Sequence, residues 1–81
     1  MKKAIYNLYG TEGCYLCELA EALCVQLINN DNYQYVDIID DTKLVELYST
    51  SIPVLEHLPT NLALYWPFDL QQLQEFICGT N

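Results

Sequence analysis

Two cysteines stand three positions apart in Gly13-Cys14-Tyr15-Leu16-Cys17, where a strand-like run gives way to a helix-like one. A thiol attacks a disulfide only as the thiolate, and the start of a helix offers unpaired backbone N–H groups and a partial positive charge that favour an anion. Cys14 falls at that start. One turn on, Cys17 lies on the same side of the helix, so it can close a disulfide with Cys14 while the backbone stays nearly in place. The pair reads as an attacking thiol, Cys14, and a resolving thiol, Cys17. Such a pair can also be half of a metal site or two cysteines buried for packing. The strand-to-helix junction in a βαβ pattern favours the redox reading.

Other chemistry-bearing residues carry less. Cys24 is seven residues beyond Cys17, about 10 Å along a helix and out of disulfide reach. It falls near the apolar side and reads as a small core residue. Cys78, beside Ile77 on a last helix, is expected to be buried against a sheet. A zinc site would need two ligands besides Cys14 and Cys17, and Cys24, Cys78 and the sole histidine, His57, are all singly placed, so no metal is expected. His57 reads as a surface or hairpin residue. Tyr15, between the cysteines, is expected to be exposed and to offer a flat apolar surface to a partner, whereas Trp66 and Phe68 are expected in the core.

The elements that must hold the pair follow from periodicity. Residues 4–9 read as a covered strand that stops at Gly10. From Cys14 the apolar Leu16, Leu19, Ala20, Leu23 and Leu27 recur at helical spacing up to Asn29-Asn30. Residues 33–38 are β-branched and aromatic enough for a second strand, parallel to the first through a right-handed crossover. Asp40 or Asp41 can cap a short helix over residues 42–48 with Leu44, Val45 and Leu47 as its buried side. Ile52-Pro53 leads into a strand over 54–57, and the turn Leu58-Pro59-Thr60-Asn61 joins it to an antiparallel strand over 62–65. Asp69 with Gln72 reads as a capping box opening a helix with Leu70, Leu73, Phe76 and Ile77 on its apolar stripe and Gly79 at its end.

The order βαβαββα describes an α/β fold with a four-stranded mixed sheet and helices on both faces. The 81 residues are 52% hydrophobic and 17% charged, which sets them as one ordered domain over 1–81 rather than a disordered chain. Net charge −8, with only Lys2, Lys3 and Lys43 on the basic side, speaks against nucleic acid and anionic membranes as partners. No stretch reaches transmembrane length. The run after Lys2-Lys3 is short, carries Asn7 and lacks a small-residue cleavage site, so a cytoplasmic location is expected.

The chain resembles the glutaredoxin branch of the thioredoxin fold over nearly its whole length, and is most similar to short bacterial glutaredoxin-like proteins of unassigned function. The Cys-x-x-Cys after the first strand, Val36-Asp37-Ile38 in the second, Ile52-Pro53-Val54 opening the third and the capped last helix carry the resemblance. It implies a cis Pro53 and an Ile52 backbone that pairs with the substrate, placing Tyr15, Ile52 and Pro53 in substrate binding. It implies a thiol-disulfide oxidoreductase acting on protein or small-molecule disulfides without a bound cofactor, expected as a monomer. The alternative is a non-catalytic module of the same fold whose cysteines serve metal binding or oligomerisation.

The chain departs from the glutathione-using relatives it resembles. Trp66-Pro67-Phe68-Asp69 replaces their Gly-Gly turn, no Lys or Arg flanks Cys14, and Glu12 and Glu18 lie close to it. Glutathione is anionic and is therefore a disfavoured substrate; a cluster bridging two chains, which in the family depends on bound glutathione, is disfavoured with it. No acid lies in the first strand to take the resolving thiol's proton, and Asp69 is assigned to capping. With the helix terminus favouring the Cys14 thiolate and carboxylates opposing it, a pKa only modestly below about 8.5 and a reducing couple are expected.

Overall fold

The structure is a computed structural model that describes residues 4–80. Its centre is β1 (Tyr6–Gly10), flanked in parallel by β2 (Tyr33–Asp37) and in antiparallel by β3 (Val54–His57), with β4 (Leu62–Tyr65) outside β3. The sheet order is β2-β1-β3-β4. A central strand covered on both faces needs apolar residues at successive positions, and four of the five in β1 are buried. α1 (Tyr15–Leu27) joins β1 to β2, α2 (Thr42–Tyr48) precedes β3, and α3 (Leu70–Thr80) closes the described chain.

Alternation along β1 divides the core. Tyr6 and Leu8 face one side with Leu55, where Ala20, Cys24 and Ile28 from the first helical segment and Leu73 of α3 close over them. Leu8, Leu55 and Leu73 are fully buried, each worth on the order of 1.5–3 kcal/mol relative to exposure. Tyr9 and Val54 face the other side, under Ile38 and the half-buried Leu44, Val45 and Tyr48. There Tyr9 stacks on Tyr48 with ring centroids 4.9 Å apart.

Local rules explain the element ends. Asp41, rather than Asp40, caps α2 by accepting from the Lys43 and Leu44 amides at 2.9 and 3.2 Å. Asp69 and Gln72 form the reciprocal box: the Gln72 amide donates to Asp69 Oδ1 at 2.8 Å, and the Asp69 amide donates to Gln72 Oε1 at 3.0 Å. In the β3–β4 turn Asn61 takes a left-handed φ of 59°, which asparagine tolerates better than most residues. The Ile52–Pro53 and Trp66–Pro67 peptide bonds are cis.

Several expectations need correction. β1 starts two residues later than the expected 4–9 and includes Gly10, and the second strand stops at Asp37 because residues 38–40 turn into a 3-10 helix. Leu47 is exposed and Tyr48 takes its place on the sheet, since two turns of helix present only a narrow stripe, here positions 44, 45 and 48. Gly79 does not end α3. The helix runs to Thr80, whose hydroxyl lies 2.9 Å from the Phe76 carbonyl and 2.7 Å from Tyr6 Oη. His57 is a hairpin residue but not a surface one: it is buried, Nδ1 is 2.8 Å from Thr60 Oγ1, and its ring lies 5.1 Å from that of Tyr6.

Gly10 ends β1 at the point of closest approach between layers. A Cβ there would lie 2.9 Å from Tyr35 Cζ and 3.0 Å from Cys17 Cβ, so any side chain must push the Tyr35 ring or the start of α1 outward. Gly10→Ala should lower the unfolding free energy by about 1–3 kcal/mol, read from urea denaturation of the oxidised chain. A stability equal to that of the parent would show that this contact is slack.

Candidate functional site

The chain leaves the middle of the sheet at Gly10 and begins α1 at Tyr15. Gly13 makes the turn with φ of 80°, a left-handed conformation that glycine adopts without a Cβ penalty. Cys14 follows as the N-cap in extended geometry. Its Sγ accepts from the Cys17 amide at 3.2 Å, and its carbonyl accepts from the Glu18 amide at 3.1 Å. Sulfur thus occupies the capping place that an oxygen more often fills, pointing at the unpaired amides of the first turn.

Cys14 and Cys17 are joined by a disulfide, with their Cα atoms 5.2 Å apart. The two sulfur-bearing residues differ sharply in access: Cys17 is fully buried, while Cys14 is partly exposed. Cys17 is buried because α1 packs its first turn onto the end of β1. Only Cys14 can be approached from solvent.

Two side chains from β2 secure the connecting loop; Tyr35 carries no signal of this in the sequence, and Asp37 enters there only within the Val36-Asp37-Ile38 run, with no role at the loop. Tyr35 Oη donates to the Thr11 carbonyl at 3.3 Å. Asp37 Oδ2 accepts from the Glu12 amide at 3.3 Å while Oδ1 accepts from the Ile39 amide at 3.0 Å. The Ile39 amide holds the Asp37 carboxyl below the usual range; desolvation, the next largest effect, opposes it, and the Thr11 hydroxyl and Glu12 amide add to the lowering. The signal that could have found Asp37 is topological. Parallel strands bring their carboxyl ends to one edge, and the register sets Gly10 opposite Asp37.

The third strand reaches the same end of the sheet. Tyr9 pairs with Val54, so Ile52 and Pro53, just before Val54, extend toward the level of Gly10 and the loop that carries Cys14. Pro53 is buried and Ile52 half-buried; the Ile52 amide donates to the Tyr48 carbonyl at 3.0 Å, and the Pro53 carbonyl accepts from the Trp66 amide at 3.2 Å. Tyr15 is 71% exposed. Phe68 is buried and Trp66 half-buried against it, edge to face, with centroids 5.0 Å apart.

The other cysteines and the histidine stand elsewhere. Cys24 is fully buried in the core beneath Leu8 and Leu55, and burial, aided by the Glu21 charge, pushes its thiol up to about 12. Cys78 is exposed, contrary to expectation: it lies off the 73, 76, 77, 80 stripe with which α3 meets the sheet. His57 pairs with Tyr6 at the far end of β1 from the disulfide. Among the described residues no group of three or more His, Cys, Asp or Glu side chains is placed to hold a metal ion.

Residues 6–78 match the family model described as Glutaredoxin-like domain (DUF836). The chain belongs to this glutaredoxin-like family. The domain is similar to the XcR50 protein of X. campestris, with 30% identity in both its crystal and its solution structure. TM-scores are 0.83 and 0.82; the matches cover 94% and 95% of this chain and 99% and 96% of the other. The solution structure of Ne2328 from Nitrosomonas europaea shares the fold at 24% identity and TM-score 0.66, over 94% of this chain and 93% of that one. No curated protein matches the sequence significantly. The glutaredoxin-like domain is thus a thioredoxin-fold protein with its Cys-x-x-Cys pair at disulfide distance, and none of its described helices is long and apolar enough to cross a membrane.

These environments set an order of thiol reactivity. In the oxidised native chain at pH 8, iodoacetamide should label Cys78 and leave Cys24 untouched. After reduction Cys14 should join it well before Cys17, as peptide mass mapping over time would show. Equal labelling of Cys14 and Cys17 would contradict the asymmetry in access.

Proposed function

We propose that this glutaredoxin-like domain is a thiol-disulfide oxidoreductase in which Cys14 attacks and Cys17 resolves. The observation that carries the reading is the placement of a partly exposed sulfur as the N-cap of α1, bonded to a partner sulfur that solvent cannot reach. In the reduced protein the Cys14 thiolate would be favoured by the first-turn amides. It attacks a substrate disulfide, whose S–S bond breaks as the Cys14–substrate bond forms, and one substrate thiolate leaves and takes a proton from water. Cys17 then attacks Cys14 Sγ, its proton passing to the departing substrate sulfur. The second substrate thiol departs, the Cys14–Cys17 bond closes, and two electrons have passed to the substrate. A dithiol reductant restores the pair, which fits a reducing cytoplasm.

No cofactor enters this exchange. Ile52 and Pro53 serve as the platform beside which an extended substrate chain lies, with the Ile52 carbonyl, rather than its amide, which Tyr48 holds, as the group that pairs, and Tyr15 as the aromatic surface at the rim. Support comes from the common end of the sheet that these residues share with Cys14. Glutathione remains disfavoured, since Glu12 and Glu18 flank the cysteine and no cation does.

Cys17→Ser should arrest the exchange at the mixed disulfide. Incubated with a disulfide-bonded protein such as insulin, that variant should accumulate a covalent adduct on Cys14 that dithiothreitol releases, and the double variant Cys14→Ser/Cys17→Ser should form none at this site. Absence of any adduct, together with no insulin reduction by the parent, would favour a binding module over an oxidoreductase.

A further inference from the structure

Resting on the redox reading above, we propose that the partner offered to Cys14 is a polypeptide whose disulfide is flanked by cationic side chains. Glu12 and Glu18 stand two residues before and four residues after Cys14, and the Asp37 carboxylate is bound to the loop that leads into α1. Glu12 lies two residues before Cys14 and is tied through its amide to Asp37 at 3.3 Å. Glu18 sits in the first helical turn with its amide on the Cys14 carbonyl at 3.1 Å. Tyr35, which holds the loop through Thr11, has its pKa raised by burial and then by the charges of Asp37, Glu21 and Glu18. Asp37 and Glu18 therefore act on one point of the loop that leads into the disulfide, where Tyr35 Oη meets the Thr11 carbonyl. Lys43, on α2, is the one Lys or Arg among the described residues.

The same rim is apolar where it is not acidic. Tyr15 is 71% and Leu16 43% exposed, between the two cysteines. An exposed aromatic ring three positions before Glu18 on α1 suits a Lys or Arg of a docking chain, whose hydrocarbon stem lies on the ring while its charge faces the acid. An anionic segment meets repulsion at the same place and is rejected. The redox-active disulfide is what brings a ligand to this spot, and the charge around it decides which ligand. In the transfer, the Cys14–Cys17 dithiol gives two electrons to the partner's disulfide, which leaves as two thiols, and a dithiol reductant regenerates the pair.

Three synthetic peptides of one length, each closed by a single disulfide and carrying Lys, Ser or Glu on both sides of one cysteine, test this with the pre-reduced full chain in single-turnover mixing. At about 10 mM ionic strength the Lys peptide should be reduced about ten-fold faster than the Glu peptide with Ser between, shrinking toward about two-fold at 0.5 M salt. Glu12→Gln/Glu18→Gln should cut the low-salt Lys-to-Glu ratio by about three-fold; a ratio within one protein cancels any change in its thiolate fraction. Reduction of the Ser peptide with equal rates for Lys and Glu would overturn the charge preference and leave the redox reading intact. Failure to reduce any of the three would overturn the redox reading and this inference with it.

Discussion

The structure turns on the passage from the centre of the sheet to the first turn of α1. Four residues separate Gly10, in the strand that every other layer packs against, from Tyr15, where the helix begins. So short a connection forces the helix start down onto the strand end, and it is tolerated because Gly10 brings no side chain to the contact among Tyr35, Cys17 and the backbone. From that single close approach come the burial of Cys17, the exposure of Cys14 at the cap, and the coupling of the disulfide to the core. The cysteine pair is therefore part of the packing that closes α1 onto the sheet.

Two opposed electrostatic influences meet at Cys14. The unpaired amides of the first turn favour its thiolate, and the nearby carboxylates, one of them kept ionised by backbone donors at Asp37, disfavour it. The Asp37 carboxylate is not removable without cost to the fold, because it also fixes the loop through the Glu12 amide. On the proposed reading this opposition sets the couple apart from strongly oxidising proteins, whose reduced forms are held down by a much lower thiol pKa. The same carboxylates are the ones to which we assign the choice of partner, so on that proposal the tuning of the sulfur and the selection of a ligand come from one set of charges.

Much of the frame was legible in the chain because local signals agreed with one another. Residues 42–48, 54–57 and 62–65 were bounded by Asp40 or Asp41, by Pro53 and by the Pro59-containing turn, and the structure keeps those ends with Asp41 as the cap. The cysteine pair was legible for the same reason, lying where two periodicities meet. What escaped depends on tertiary contacts. Leu47 and Tyr48 exchange roles because only the stacking of Tyr48 on Tyr9 decides which way a two-turn helix rolls. Cys78 is apolar by type, yet it lies off the face that α3 turns to the sheet. Tyr35 and Asp37 reach the Cys14 loop across twenty-four and twenty-five residues of sequence, a distance that periodicity does not bridge.

An equilibrium redox titration bears most directly on the claim that Cys14 and Cys17 form a reversible couple at the head of α1. The chain is equilibrated with graded ratios of reduced and oxidised dithiothreitol for the lower range and of reduced and oxidised glutathione for the upper range, quenched with acid, and its free thiols are counted. The account predicts one two-electron transition, lost in Cys14→Ser, with a midpoint nearer about −270 mV than about −120 mV. A midpoint close to about −120 mV, or a pair that does not reoxidise reversibly at all, would contradict it.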